Sequence, residues 1–225
     1  MIILIGGEKG GSGKTTFATN LSAMRTKDTG DLLLIDTDKQ QTASYWCSLR
    51  EDNQIFPRVA SIQKFEKAVR TETLALKTKY KDITIDAGGR DSSELRSALL
   101  VADKAIFPLR PSQFDLWTLG RMNTLVETAT EFNEKLNAFI VINQASPNPA
   151  VKEVEEAREL INEFGNLKLL KTHLCERIVY RRAAIQGMAV TEYKPEDTKA
   201  IEEMKNLYEE IFDEQQNKIF KAAYT

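Results

Sequence analysis

The stretch Lys9-Gly10-Gly11-Ser12-Gly13-Lys14-Thr15-Thr16 constrains this chain more than any other. Glycines at 10, 11 and 13 open backbone conformations that residues with a Cβ resist. Ahead of them, Met1-Ile2-Ile3-Leu4-Ile5 is a short apolar, β-branched run, which predicts a buried parallel strand ended by Gly6-Gly7. Behind them, Phe17, Leu21 and Met24 recur at helical spacing with no Gly or Pro before Arg25, which predicts a helix with one buried face. A glycine-rich loop between a strand and a helix gathers free backbone N–H groups and the positive end of the helix dipole into an anion site for a polyphosphate. Gly10, Gly11, Ser12, Gly13 and Thr16 form that cradle, Lys14 reaches the β- and γ-phosphates, and the Thr15 hydroxyl is a Mg²⁺ ligand. An ordinary glycine-rich turn requires no such order of strand, loop and helix.

The loop departs from the strict pattern G-x-x-x-x-G-K-[ST], since Glu8 stands where the first glycine belongs. What stands instead is K-G-G-x-G-K-T-T, with an early second lysine, Lys9. This variant resembles the deviant Walker A loop of the ParA/MinD family of ATPases. The resemblance implies an ATP and Mg²⁺ site, and a lysine that crosses a nucleotide-sandwich dimer to the partner's phosphates. Lys9 is therefore the residue that implies an ATP-dependent homodimer.

Further along, Leu32-Leu33-Leu34-Ile35 predicts a second buried strand, ending in Asp36-Thr37-Asp38. Carboxylates at the carboxyl end of a parallel strand point into the crevice where ligands bind. The segment resembles the family's D-x-D-P-Q switch, with Lys39 in place of proline, which implies Asp36 near the Mg²⁺ shell and Asp38 orienting the attacking water. Ile62, Phe65, Val69 and Leu76 suggest an outer helix to about Lys79. Ile83-Thr84-Ile85-Asp86-Ala87-Gly88-Gly89 reads as a strand closing on a Walker B carboxylate, Asp86, that holds Mg²⁺. A helix capped at Ser92-Ser93 follows, then a strand over Lys104–Phe107 ended by Pro108. Pro111 to Leu116 resembles the family's P-x-x-x-D-L step into a long helix reaching about Asn133, with Asp115 as its cap and an interface candidate.

Ala138-Phe139-Ile140-Val141-Ile142 predicts a strand ending at Asn143, which either reads an adenine edge or is a loop amide without a ligand. An acidic amphipathic helix spans Val151 to Phe164 and is closed by Gly165. A last strand is expected at Leu167–Leu170, and a final amphipathic helix from Asp197 to Phe212. Between them lies a dense basic cluster, Lys168, Lys171, Arg177, Arg181 and Arg182, which is either a DNA-contacting patch or a solvated helix face.

Strands alternating with helices predict an α/β fold, a doubly wound and mainly parallel sheet in one domain over residues 1–212, with 213–225 as a flexible tail. No apolar run reaches about 18 residues and no signal peptide stands at the start, so a cytoplasmic protein is expected. Cys47 and Cys175 lack a C-x-x-C partner, which argues against a metal site, a disulfide framework or a bridging iron–sulfur cluster. A net charge of −2 leaves DNA binding to a local patch.

The resemblance, over about residues 1–190, implies an ATP-hydrolysing DNA partition switch. Its ATP dimer binds DNA without sequence preference and associates with the nucleoid, and a ParB-like centromere-binding partner stimulates the hydrolysis that releases it. Two other classes share the fold. A MinD-like membrane-surface ATPase needs a basic amphipathic C-terminal helix, which Glu209, Glu210, Asp213 and Glu214 oppose. A metabolic or redox P-loop enzyme would have little use for Lys9 or would need cluster cysteines.

Overall fold

The computed structural model describes residues 1–112, 117–148 and 150–212. In β1 (Ile2–Ile5) the side chains alternate between two apolar layers, Ile2 and Leu4 into one, Ile3 and Ile5 into the other. A strand buried on both faces is apolar throughout, and such strands belong inside a helix-covered parallel sheet. The sheet continues through β2 (Leu32–Asp36), β3 (Ala60–Gln63), β4 (Asp82–Asp86), β5 (Lys104–Leu109), β6 (Asn137–Ile142) and β7 (Lys168–Leu169). Among the described residues these seven strands are all parallel, in the order β3-β2-β4-β1-β5-β6-β7.

Helices cover both faces. On one lie α1 (Lys14–Thr29) and α2 (Thr42–Asp52), together with α7 (Ile178–Ala184) and α8 (Thr198–Phe212). They pack Phe17, Leu21, Trp46, Val179 and Met204 onto Ile3, Ile5, Leu32 and Leu34. Phe17 and Leu21 are almost inaccessible to solvent, and each such side chain contributes about 1.5–3 kcal/mol relative to exposure. On the other face lie α3 (Ala68–Leu76), α4 (Ser93–Leu99), α5 (Leu119–Thr130) and α6 (Glu153–Ile161), which set Val69, Leu95, Met122 and Ile161 against Ile2, Leu4, Leu33 and Ile35. The chain leaves β1 for β2 on one side and later reaches β5 on the other. That reversal opens a crevice at the carboxyl ends of the central strands, where doubly wound sheets bind ligands.

Several boundaries differ from the sequence expectation. Ile62 belongs to β3, pairing with Ile35, so the helix that its spacing suggested starts only at Ala68. An edge strand read with a few apolar residues mimics helical spacing, and the sheet register decides between them. Pro108 does not end β5, which runs on to Leu109. β1 pairs with β5 only as far as Ile106, so Pro108 has no neighbour on that side to which an N–H is owed, and β6 pairs its other side. α1 extends through Thr29 and stops at Gly30, whose φ of 68° suits a helix C-terminus. Ser92 caps α4 as expected, accepting from the Leu95 N–H at 3.2 Å. The expected cap Asp115 and the expected tail 213–225 lie outside the described residues.

Candidate nucleotide site

Register brings three strand ends level. Ile5 pairs with Asp86, and Asp86 pairs with Asp36, so the loop after β1 meets both carboxylates. Gly11 and Gly13 hold left-handed backbone, φ 75° and 94°, which a residue with a Cβ adopts only under strain. The Phe17 N–H then bonds Gly13 O at 3.0 Å, and α1 begins directly from the loop. Lys14 is buried, and its Nζ donates to Lys9 O at 2.6 Å. Burial holds its pKa below the ordinary lysine value, against the opposing pull of Asp86 and Asp38.

Thr15 Oγ1 donates to Asp86 Oδ2 at 2.8 Å, while Asp86 Oδ1 is buried with no hydrogen-bond partner. Burial pushes the Asp86 pKa up to about 7; the Thr15 bond opposes this and the neighbouring Asp36 adds to it. A buried carboxylate oxygen without a donor, beside a hydroxyl, is unsatisfied chemistry that a hard cation completes. Among the described residues no three or more His, Cys, Asp or Glu side chains converge as a metal cage. Mg²⁺ keeps several of its waters and takes few protein oxygens. Thr15 and Asp86 would hold it.

Asp36 sits beside them, fully buried, but its oxygens are engaged. Oδ1 accepts from the Asp38 N–H at 3.1 Å, and Oδ2 accepts from the Ser44 N–H and hydroxyl at 2.8 and 2.9 Å. Its visible work is to fix the switch loop and the start of α2, so of the two carboxylates assigned to the metal, Asp86 has the open oxygen. Asp38 lies outward, where Oδ1 accepts from the Gln40 N–H at 2.9 Å. It lines a cavity of about 480 Å³ together with Lys39, Gly88, Gly89 and Arg90. A Cβ on Gly89 would come within 2.8 Å of Gly10 N and Lys9 O, so glycine there lets the loop after β4 lie against the phosphate loop. Lys9 itself is exposed at the front of the site.

A second cavity, about 280 Å³, adjoins the loop at Gly13 and Thr16 and has Asn143, Gln144, Tyr180 and Arg181 in its wall. Asn143 does reach this wall, but its Nδ2 donates to Ser12 O at 2.7 Å, so the amide braces the phosphate loop. Sequence reasoning missed Arg110, whose Nη2 donates to Gly11 O at 2.5 Å and whose Nε donates to Gln144 Oε1. The available signal was its place directly after an apolar strand, the same place that singled out Asp36, Asp86 and Asn143.

The basic cluster is divided. Lys168 pairs in register with Phe139 early in β6, and its Nζ donates to Asn137 Oδ1 at 3.0 Å, toward the end of the sheet away from the phosphate loop. Arg177 is held by Glu203 at 2.6 Å, largely buried, which takes it out of any open patch. Arg181 lies 3.4 Å from Glu176 and is 70% exposed, while Arg182 and Lys171 are exposed.

Residues 3–190 match the CobQ/CobB/MinD/ParA nucleotide binding domain family. Maintenance of carboxysome distribution protein A of Halothiobacillus neapolitanus is 29% identical over 208 residues, covering 90% of this chain and 92% of that protein. The septum site-determining protein MinD of Pyrococcus horikoshii, solved with Mg-ADP, superposes with a TM-score of 0.73 at 21% identity, over 94% of this chain and 96% of that one. A putative plasmid partition protein of Borrelia burgdorferi, solved with AMPPNP, gives 0.71 at 20% identity, over 93% and 97%. With the loop, the two strand-end carboxylates and the sheet order all in place, the chain belongs to the CobQ/CobB/MinD/ParA nucleotide-binding family and is a ParA/MinD-type ATPase.

Proposed function

We propose that this ATPase is a partition or positioning switch, in which an ATP-bound homodimer holds DNA non-specifically and hydrolysis lets it go. The observation that carries the reading is Lys9, an exposed lysine at the front of a phosphate loop already supplied with a buried one, Lys14. A second, exposed cation there serves a phosphate brought by another subunit. Bound Mg²⁺ supplies charge neutralisation at the phosphates. Around it, Lys14 binds the β- and γ-phosphates, the loop amides orient them, and Asp38 holds the attacking water from the outer cavity. Asp36 keeps the switch loop and α2 in register with Asp86.

Relatives named for carboxysome distribution and for ParA support a role in spacing a large cargo along DNA. A plasmid with a ParB-like centromere-binding adaptor is one such cargo; a protein-bounded body with its own adaptor is the other. The extended match to the carboxysome-distribution relative favours the second. In either case the nucleoid in the cytoplasm is the track, and the adaptor stimulates turnover.

DNA contact is assigned to Arg181, Arg182 and Lys171, the exposed part of the cluster. One copy offers too few cations to hold DNA at physiological salt, and two copies joined by ATP double the number. Each phosphate neutralised adds roughly −0.9 to the salt slope, so dimerisation steepens salt dependence as it raises affinity. The test is co-sedimentation with DNA and with anionic liposomes, in ATP analogue and in ADP. Expected is DNA binding with the analogue, weak binding with ADP, and loss in Arg181→Ala/Arg182→Ala while dimerisation persists. Parent-like DNA binding and salt slope in that variant would remove the patch, and ATP-dependent liposome binding without DNA binding would replace the reading with a membrane one.

A further inference from the structure

Two consecutive peptide groups of the phosphate loop are gripped from the sheet. Leu109 and Ile142 are register partners, so the next residues, Arg110 and Asn143, leave adjacent strand ends side by side. Arg110 Nη2 donates to Gly11 O at 2.5 Å, and Asn143 Nδ2 donates to Ser12 O at 2.7 Å. Across a trans peptide the carbonyl and the following N–H point in opposite directions. A donor fixed on Gly11 O therefore sets the direction of the Ser12 N–H, and one fixed on Ser12 O sets that of the Gly13 N–H. Such N–H groups are the donors an anion at this kind of loop requires. Gly11 and Gly13, at φ 75° and 94°, bring no side chains to stiffen the loop, so its stiffness has to come from outside.

Arg110 is itself seated. Its Nε donates to Gln144 Oε1, and Gln144 holds φ 55°, a left-handed backbone uncommon for a residue other than glycine. One planar guanidinium can bridge two acceptors in fixed geometry, which the single ammonium of a lysine does not reproduce.

We propose that Arg110 is a positioning residue for the nucleotide phosphates. It acts through the Gly11 carbonyl to aim the Ser12 amide, with Gln144 as its seat. This concerns the nucleotide step alone and stands whether or not the DNA and cargo reading holds.

Calorimetric titration of Arg110→Ala with AMP, ADP and ATP, beside its melting temperature, tests it. ADP and ATP affinity should fall about tenfold, equivalent to about 1.4 kcal/mol. AMP, which lacks the β-phosphate, should change less than about twofold, and melting should stay at the parent value because Arg110 is exposed. Arg110→Lys should behave like the alanine variant, and Gln144→Ala, which removes only the seat, should lose part of the affinity. Parent-like ADP affinity in Arg110→Ala, an equal loss for AMP and ADP, or full recovery in Arg110→Lys would each overturn the proposal, the last by showing that charge alone suffices.

Discussion

Lys14 and Asp86 show how burial prepares single residues for a phosphate and a cation. Lys14 is 7% exposed and spends its ammonium on the Lys9 carbonyl, an acceptor that a phosphate oxygen outcompetes. Charged hydrogen bonds contribute about 1.5–3 kcal/mol each, so Lys14→Ala should weaken ATP binding by roughly 100-fold. Calorimetry that finds parent affinity would end the phosphate-loop reading. For Asp86 the sign follows from its raised pKa, about 7 in the folded protein. Between the ordinary carboxylate range and 7 the folded state carries more protons than the unfolded one, so stability without Mg²⁺ should fall as pH rises through that window. One group changes the slope by at most about 1.4 kcal/mol per pH unit. Denaturant titrations at pH 5 and pH 8 should show the loss, and Asp86→Asn should flatten it; an unchanged slope in that variant would assign the pH dependence elsewhere.

At the scale of elements, the parts legible in the sequence were those whose signal is local. β1, β2, β4 and β6 announced themselves as apolar runs, and the residues closing them, Asp36, Asp86 and Asn143, converge as a parallel sheet requires. What was illegible depends on pairing across the chain. Ile62 could not reveal its strand without Ile35, and Arg177 looked like a free cation because Glu203 lies on another helix. Arg50 is the fullest case. It is 1% exposed on α2 and forks onto both carboxylate oxygens of Glu192 at 2.7 Å, while its Nε donates to Pro57 O. Gly187 carries φ 71° and lies against the Arg50 backbone, so a Cβ there would collide with it. The pair ties the helix after the switch loop to the turn before α8. Glu192→Ala leaves a buried guanidinium without its partner, a loss of about 3–5 kcal/mol. Melting should drop by roughly 10 °C, at about 2–4 °C per kcal/mol for a domain of this size. Glu192→Gln, which keeps an acceptor, should fall between, and melting within about 1 °C of the parent in Glu192→Ala would mean that α2 is held by packing alone.

At the scale of the whole molecule, the proposed ATP-bound homodimer has to bring two copies with a net charge of −2 each face to face. Their attraction has to be local, and the phosphate loop offers it, with Lys9 exposed beside the cavity that Asp38 and Gly89 line. In a two-fold dimer every contact occurs twice, so each nucleotide would receive one Lys14 from its own chain and one Lys9 from the other. Two charge-assisted contacts at about 1.5–3 kcal/mol each supply roughly 3–6 kcal/mol to association, and none of it exists until a nucleotide is bound. In the proposed dimer that lysine serves the partner's nucleotide, so Lys9→Ala should leave ADP affinity near the parent value. With a non-hydrolysable ATP analogue its dimer dissociation constant should rise more than about 100-fold, read by light scattering across a concentration series. Loss of ADP affinity in the same variant would place Lys9 in its own nucleotide site, and parent-like dimerisation would move the subunit contact to another surface.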